Sequence, residues 1–459
     1  EEPHEVTAGG AMHDTTLIGS YNPDDILAWE EGGPRTARQF LAEASGLAEL
    51  LPDRPAVLNL ANSRYEFLMG FAAAILRRQV TLLPQSRAPE TIRLVAAAYS
   101  GSYALMGGDD IIEGIDSIPI RSRGIDSGGP SEIPLVPSNQ VVAIAFTSGS
   151  TGQPMPNKKT WGALTAVARA AAARLGIKGG DRAAVVATVP HQHMFGLEAS
   201  VMLPIMHGLV MHAGRPLFPA DIRSVLSDVA GQWVLVTTPL HLRACVTEGR
   251  GMQPGRLILS ATAPLSRGLA EEAERLFHTP VHEIFGFAEA GSIAERRTID
   301  GDRWRLLDGV SVVQEGSSYT VRTRYLPTPV RIPDRITVSP EGTFVLHGRE
   351  ADQVNIAGHR VSLGELNQKL LAIEGVEDGT FFLPDGESGG VTRLMAFVVA
   401  PGRNSEEIQR ALRAHVDPVF LPRPLVCVPS LPRNATGKLP RESVAELARP
   451  WLERQDHGA

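Results

Sequence analysis

The sequence predicts an α/β protein, with a large N-terminal unit of largely parallel strands and helices followed by a smaller α+β unit. Two observations carry this prediction. The first is alternation: short apolar runs, AVLNL (56–60), VVAIAF (141–146), AAVVATV (183–189), WVLVTT (233–238), RLILS (256–260) and VHEIFGF (281–287), are separated by Ala- and Leu-rich stretches such as 162–175. Strands spaced by helices read as βαβ units and parallel sheets. The second is a change of texture. Near 317 the chain turns to hairpins, YTVRTRY and then RITVSPEGTFVLHGR, in which Pro340, Glu341 and Gly342 mark a tight turn. Beyond 350 follow a helix from about 362, a strand TRLMAFVVA, a helix from about Ser405 and a strand LVCVP. The charged, Gly-punctuated segment HGREADQVNIAGHR (347–360) reads as a linker, dividing the chain into 1–347 and 348–459. The sequence shows no internal repeat and no low-complexity tract.

Composition narrows the function. A chain of 459 residues can bury a large core and divides into at least two domains. Its net charge of −7 argues against broad nucleic-acid binding, which needs a basic face. Only Cys245 and Cys427 occur, far apart, so neither a disulfide framework nor a Cys-based metal site is indicated, and a reducing cytoplasm fits. No apolar run reaches the 18 residues of a membrane span, and the first thirty residues are acidic and polar, without a signal-peptide core. Met12 follows GGA, so residues 1–11 are expected to be partly an added leader and are set aside.

The stretch FTSGSTGQPMPNK (146–158) is the first candidate for chemistry. A strand ends in Thr147, Ser148, Gly149, Ser150, Thr151 and Gly152, and an Ala-rich helix starts at Trp161, which reads as strand, flexible loop, helix. Such a loop can curl N–H groups and hydroxyls around a phosphate chain, because Gly permits close approach while Ser and Thr donate. A polar surface loop has the same composition. The P-loop pattern fails, since Gln153 follows Gly152 where that pattern has Lys.

Separated motifs in a fixed order carry more weight than one loop. TSGSTGQP (147–154), PHQHMFGLE (190–198), SATAPLS (260–266), FGFAEAG (285–291), GREADQVNIAGHRV (348–361) and RNATGKLPR (433–441) together resemble the adenylate-forming superfamily of acyl-CoA synthetases, peptide-synthetase adenylation domains and luciferases. The resemblance runs over roughly residues 25–445. It implies the adenylate-forming enzyme fold, in which a large N-terminal domain of stacked sheets and helices, with a β-rich subdomain, carries a small mobile C-terminal domain that reorients between two half-reactions. A carboxylate attacks the α-phosphate of ATP, with Mg²⁺, to give an acyl-adenylate and pyrophosphate; a thiol then displaces AMP.

Each motif then implies a role. Matching SGTTGxPK, the segment Thr147, Ser148, Gly149, Ser150, Thr151, Gly152 and Pro154 would hold the triphosphate. The motif's Lys is Met155 here, and lysines return only at Lys158 and Lys159, after an apparent two-residue insertion, with Lys158 the candidate to reach back. Glu289 matches the Glu of YGxTE, a single-carboxylate Mg²⁺ site completed by phosphate oxygens and water. Phe285 takes the position that stacks on adenine, Gly286 lets the backbone pass close to the acyl group, and Phe287 follows on the substrate side. The motif's Thr is Ala288, removing a hydroxyl from the α-phosphate. Thr262, in the stretch matching GGAP, lines the adenine pocket. Asp334 matches the TGD aspartate that accepts from the ribose hydroxyls, with Arg349 as a positive partner. Lys438 matches the C-terminal Gly-Lys, which swings in to bridge carboxylate and α-phosphate. At the hinge GRxDD becomes Arg349, Glu350, Ala351 and Asp352, leaving Ala at the pivot, where rotation needs a φ/ψ change rather than a charge.

PHQHMFGLE stands where the family has PLFHxxG, so His193 takes the gating position at the mouth of the acyl pocket, followed by Phe195 and Gly196. With His191, Gln192 and Met194 the segment is similar to the ligases of bacterial aryl-polyene and xanthomonadin pigment pathways, which load a small aromatic carboxylic acid such as 3-hydroxybenzoate onto an acyl carrier protein. The pocket would also draw on Thr237–Leu242 and Phe285–Ala290. From 410 to 441 the chain carries Arg410, Arg413, Arg423, Arg433, Lys438 and Arg441 against only Asp417 among the acids, a candidate dock for an acidic carrier or for the phosphates of CoA. Two other readings remain: an aryl- or acyl-CoA ligase with CoA as acceptor, and a non-catalytic ATP- or acyl-binding relative, suggested by Met155, Ala288 and Ala351.

Overall fold

The computed structural model describes residues 14–108, 112–120, 132–148, 154–229, 231–316, 318–349, 353–356, 359–384, 394–434 and 437–456. Two large sheets organise the described residues up to position 349. In the smaller, of six strands, Val80–Leu83, Ala56–Leu60, Tyr103–Gly107 and Ser117–Ile120 run parallel, and Val141–Ser148 joins beside Val80–Leu83. In the larger, of eleven strands, a parallel centre (Val281–Phe287, Leu257–Ser260, Trp233–Thr237, Ala184–Ala187, Val210–His212, Ile26–Glu30) is flanked by antiparallel strands at both ends.

Helices fill the space between the sheets. One apolar cluster joins Val57, Tyr103 and Val142 of the smaller sheet to Leu27 and Met211 of the larger through Phe40, Phe67 and Phe71 of the helices Ala37–Leu50 and Arg64–Leu76. The second helix, RYEFLMGFAAAIL, is apolar nearly all round, as a helix covered on both sides must be. It starts at Ser63, whose hydroxyl accepts from the Glu66 amide. Each such fully buried Phe or Leu contributes about 1.5–3 kcal/mol by leaving water.

The structure revises the sequence reading in three places. The run after the Ser/Gly loop is a strand, Pro154–Thr160, pairing antiparallel with Val141–Ser148, before the helix Trp161–Arg174 begins. Its Pro residues and two lysines hide the strand pattern, and it lies at the sheet edge, where Pro is tolerated. The β-rich region divides: Val310–Glu315, Ser318–Thr323 and Val330–Arg331 form a separate small sheet, whereas Asp334–Val338 and Thr343–Arg349 extend the eleven-stranded one. The segment read as a linker carries the end of Thr343–Arg349 and a hairpin, Gln353–Ile356 with His359–Ser362. Positions 350–352 lie outside the described residues.

Beyond 354 two apolar clusters form from residues of this part alone, around Leu366, Leu370 and Ala396 and around Phe397, Val444 and Ala448. They pack a mixed sheet of Asp378–Phe382, Met395–Val399 and Leu425–Cys427 against the helices Leu363–Leu371, Ser405–Leu412 and Arg441–Asp456. Among the described residues no helix is long and apolar enough to cross a membrane. Both cysteines are free.

Candidate active site

The strands Ala184–Ala187, Trp233–Thr237, Leu257–Ser260 and Val281–Phe287 are neighbours in the larger sheet, and their carboxyl ends deliver Thr188, Thr238, Thr262 and Phe287 to one edge. That edge is where open α/β sheets bind ligands. Thr262 has φ +79°, a left-handed conformation that a β-branched residue rarely adopts. Such strain persists only where the surroundings hold it, and it gathers at functional sites.

A polar network covers these strand ends. The Thr188 hydroxyl lies 2.9 Å from that of Thr237 and 3.2 Å from His241 Nδ1, which is 2.9 Å from the Thr238 hydroxyl. Arg215 Nε donates to the Thr188 carbonyl at 3.1 Å. His193 caps the short helix Met194–Leu197, whose close approach to Pro190 depends on Gly196: a Cβ there would lie 1.9 Å from the Pro190 oxygen. Burial, then the positive charges of Lys438 and Arg215, push His193 down to about 4, and burial with Arg215 does the same to His241. Both imidazoles are therefore neutral at pH 7. His191 and Gln192 both reach the Ala61 carbonyl.

Lys438 comes to the site from the C-terminal part. Its loop is closed by Asn434, whose side chain accepts from the Lys438 amide and whose amide donates to the Lys438 carbonyl. Gly437, with φ +77°, sits against Thr238, and a Cβ there would be 3.5 Å from the Thr238 hydroxyl. Arg433 braces the loop through the Gly437 carbonyl at 2.8 Å and a two-pronged pair with Asp378, both bonds 2.7 Å. Beside this contact runs a cavity of 260 Å³ lined by Thr238, Leu240 and Arg243 on one side and Asp378, Phe382 and Arg433 on the other.

Glu289 is exposed in the turn between Val281–Phe287 and Gly291–Arg297. No group of three or more His, Cys, Asp or Glu side chains able to hold a metal occurs among the described residues. A lone carboxylate at a strand-end turn instead fits Mg²⁺, which takes one or two protein carboxylates and completes its shell with phosphate oxygens and water. Half-buried Phe285 is backed by Trp304 and Phe344, with ring centroids 5.5 and 5.7 Å away. The structure gives Gly286 a packing reason: a Cβ there would sit 2.4 Å from the Gly291 oxygen, so the missing side chain makes room for the neighbouring strand.

Around the Ser/Gly loop, Thr147 is described and its hydroxyl lies 3.5 Å from Asn157 Nδ2, whereas 149–153 and the Ser148 side chain lie outside the described residues. Lys158 is exposed; Lys159, on the other face of the same strand, is buried and donates to the main-chain oxygen of Glu289 at 3.0 Å. The lysine that reaches toward the Glu289 turn is thus Lys159, because alternation along the strand turns Lys158 outward. Asp334 and Arg349 are opposed partners across two antiparallel strands, beside a register shift; the Arg349 side chain is outside the described residues. Sequence reasoning missed His241, Arg215 and Thr188 as site residues and did not single out Lys159 or Glu198. For His241 the signal was its place in Thr237–Leu242; the others become neighbours only through sheet order.

The sequence pattern of a family described as "AMP-binding enzyme" matches residues 60–316. A 4-coumarate–CoA ligase of Halorhodospira halophila is 30% identical over 300 residues, covering 64% of this chain and 73% of that protein. Another, of Rhodobacter capsulatus, is 29% identical over 281 residues, covering 61% and 69%. The crystal structure of ATP-bound MatB from Rhodopseudomonas palustris superimposes with a TM-score of 0.78 at 17% identity, covering 93% of this chain and 96% of that one, a likeness of fold.

Proposed function

Since the chain belongs to the AMP-binding enzyme family, as an AMP-forming acid–thiol ligase that uses ATP and Mg²⁺, we propose that its acid is a small aromatic carboxylate and its acceptor a phosphopantetheine thiol of an acyl carrier protein. The observation that carries this reading is the seating of the Lys438 loop on the strand ends, with Gly437 against Thr238 and the Lys438 charge felt at His193.

In the first half-reaction a carboxylate oxygen of the acid bonds to the α-phosphorus of ATP as the bond to pyrophosphate breaks. Lys438 places its ammonium between carboxylate and α-phosphate, where negative charge accumulates. Bound Mg²⁺ would be held by Glu289 and would neutralise phosphate charge. Thr147–Gly152 hold the triphosphate, Phe285 and Thr262 border the adenine, and Asp334 with Arg349 takes the ribose. Neutral His193, with Phe195 and Phe287, borders the acid without adding a second cation beside it. In the second half-reaction the thiolate sulfur attacks the acyl carbon and the acyl–oxygen bond to AMP breaks. For this step residues 348–459 turn about 350–352, withdrawing Lys438 and opening the site to the thiol.

The wording of PHQHMFGLE supports an aromatic acid, with 3-hydroxybenzoate as the first substrate to test. The basic segment supports a carrier, in a reduced form. Arg433 is committed to Asp378, Arg441 lies over the Phe382 ring and bonds the Leu383 carbonyl, and Lys438 belongs to the site, which leaves Arg410, Arg413 and Arg423 exposed. A second reading, CoA as acceptor, is favoured by the 4-coumarate–CoA ligases among the relatives. Mass spectrometry of reactions with ATP, Mg²⁺ and 3-hydroxybenzoate, run in parallel with CoA and with a holo acyl carrier protein, separates them. A carrier heavier by one hydroxybenzoyl group with little CoA thioester is the expected result. Efficient CoA thioester with an unmodified carrier replaces it with the second reading.

A further inference from the structure

The Glu289 turn is held from beneath by two charged side chains that the reaction itself does not use. Lys159 is 4% exposed and Glu198 6% exposed, and both are reached from elements distant in sequence, the edge strand Pro154–Thr160 and the helical segment Glu198–Met202. Lys159 Nζ donates to the Glu289 oxygen at 3.0 Å. Glu198 Oε2 accepts from the Ser292 amide at 3.0 Å and from its hydroxyl at 2.5 Å. The turn is thus gripped at Glu289 by a cation and at Ser292 by an anion. Gly291, with φ +82°, lets the grip close, since a Cβ there would lie 2.5 Å from Glu198 Oε1.

A buried ammonium is costly and is retained where it makes specific bonds. Here one of its three N–H groups goes to the main-chain oxygen of Glu289, the residue read as the Mg²⁺ ligand, while Met155, 54% exposed, stands where the loop lysine would be. We propose that Lys159 is a positioning residue that sets the Glu289 carboxylate for Mg²⁺, with Glu198 as its electrostatic counterweight. This rests on the reading of Glu289 as the Mg²⁺ ligand. The lysine fixes the peptide of Glu289, so the carboxylate leaves a stationary backbone and the ion meets an oriented ligand. A partner behind a metal ligand is typically worth 10- to 100-fold in affinity.

The test is calorimetric titration of a non-hydrolysable ATP analogue at a series of Mg²⁺ concentrations, with a thermal melt of each variant and acid-dependent pyrophosphate exchange alongside. Lys159→Met is expected to raise the Mg²⁺ concentration needed for half-maximal analogue binding by about tenfold or more, with KM for the acid unchanged. Lys159→Arg is expected to recover most of this, because the pair borders a cavity of 180 Å³ with room for a guanidinium. Lys159→Met combined with Glu198→Gln restores charge balance, so it is expected to melt closer to wild type while keeping the weakened Mg²⁺ response. A folded Lys159→Met protein with the wild-type Mg²⁺ dependence overturns the proposal, as does recovery of that dependence in the double variant. Glu289→Gln tells the two levels apart: if it leaves Mg²⁺ dependence intact, the reading of Glu289 falls and the role of Lys159 with it. If it abolishes that dependence while Lys159→Met does not, the role of Lys159 falls alone.

Discussion

Lys438 is the residue whose loss should separate the two half-reactions. It reaches the candidate site on a loop closed by Asn434 and Arg433, and in the proposed reaction it acts on charge that develops only as the adenylate forms. Lys438→Ala is expected to lower adenylation on the order of 10²-fold or more, as loss of one electrostatic stabiliser does, while thioester formation from preformed adenylate survives; single-turnover assays of each step check this. His193 and His241 make a second prediction. Their pKa values fall from 6.5 to about 4 on folding, so between those limits the unfolded chain binds protons that the folded one refuses. Stability is then full above about 6.5 and declines as pH drops toward 4. Urea unfolding at pH 7, 6 and 5 should show the decline, and His241→Gln should make it shallower.

At the scale of elements, tight backbone crossings hold the site. The helix Met194–Leu197 can begin where it does only because Gly196 brings no side chain to the Pro190 carbonyl. Gly196→Ala is expected to cost about 1–3 kcal/mol from overpacking, and to raise KM for the acid by moving His193 and Phe195. Thermal melts and steady-state kinetics measure the two effects. Arg64 does similar work for the strand ends. Buried at 1% exposure, it donates to the carbonyls of Ala187, Val189, His212 and Gly214 and to the Ser200 hydroxyl, joining two parallel strands to the helical segment beside His193. Arg64→Met leaves those carbonyls without a donor, so a loss above about 3 kcal/mol is expected, read as a fall in the urea midpoint.

At the scale of the whole molecule, the proposed chemistry depends on bringing residues beyond 354 onto the strand ends of the larger sheet. Those residues form their own apolar clusters, and the contact across to Thr238, Leu240 and Arg243 encloses a cavity rather than a packed core, which suits the proposed parting of this surface between half-reactions. Arg243 faces Asp378 and Glu377 across this gap, and burial lowers its pKa while those carboxylates raise it. The exposed Arg410 and Arg413 lie on the same C-terminal part, at the end of the helix Ser405–Leu412. Charge reversal at both is expected to raise the apparent KM for the carrier several-fold and to leave acid-dependent pyrophosphate release unchanged, because the adenylating residues are elsewhere.

Sequence alone determined the alternation of strand and helix, since β-branched runs and Ala-rich runs announce themselves locally, and it determined the family, since short motifs kept their order and most of their residues. It also offered Glu289, Asp334, Arg349, Lys438 and His193 as candidate site residues, each marked by its neighbours in the chain. Tertiary structure alone decided what stands behind them. That Pro154–Thr160 is a strand depends on its partner Val141–Ser148 rather than on its own composition. Which of two adjacent lysines turns inward follows from that pairing, because successive side chains of a strand point to opposite faces. Thr188, Arg215 and His241 meet only because the sheet sets their strands side by side, and Lys159 meets Glu289 across 130 positions of sequence. Local patterns record what a residue does with its neighbours in the chain, whereas contacts between distant segments arise only when the sheets close.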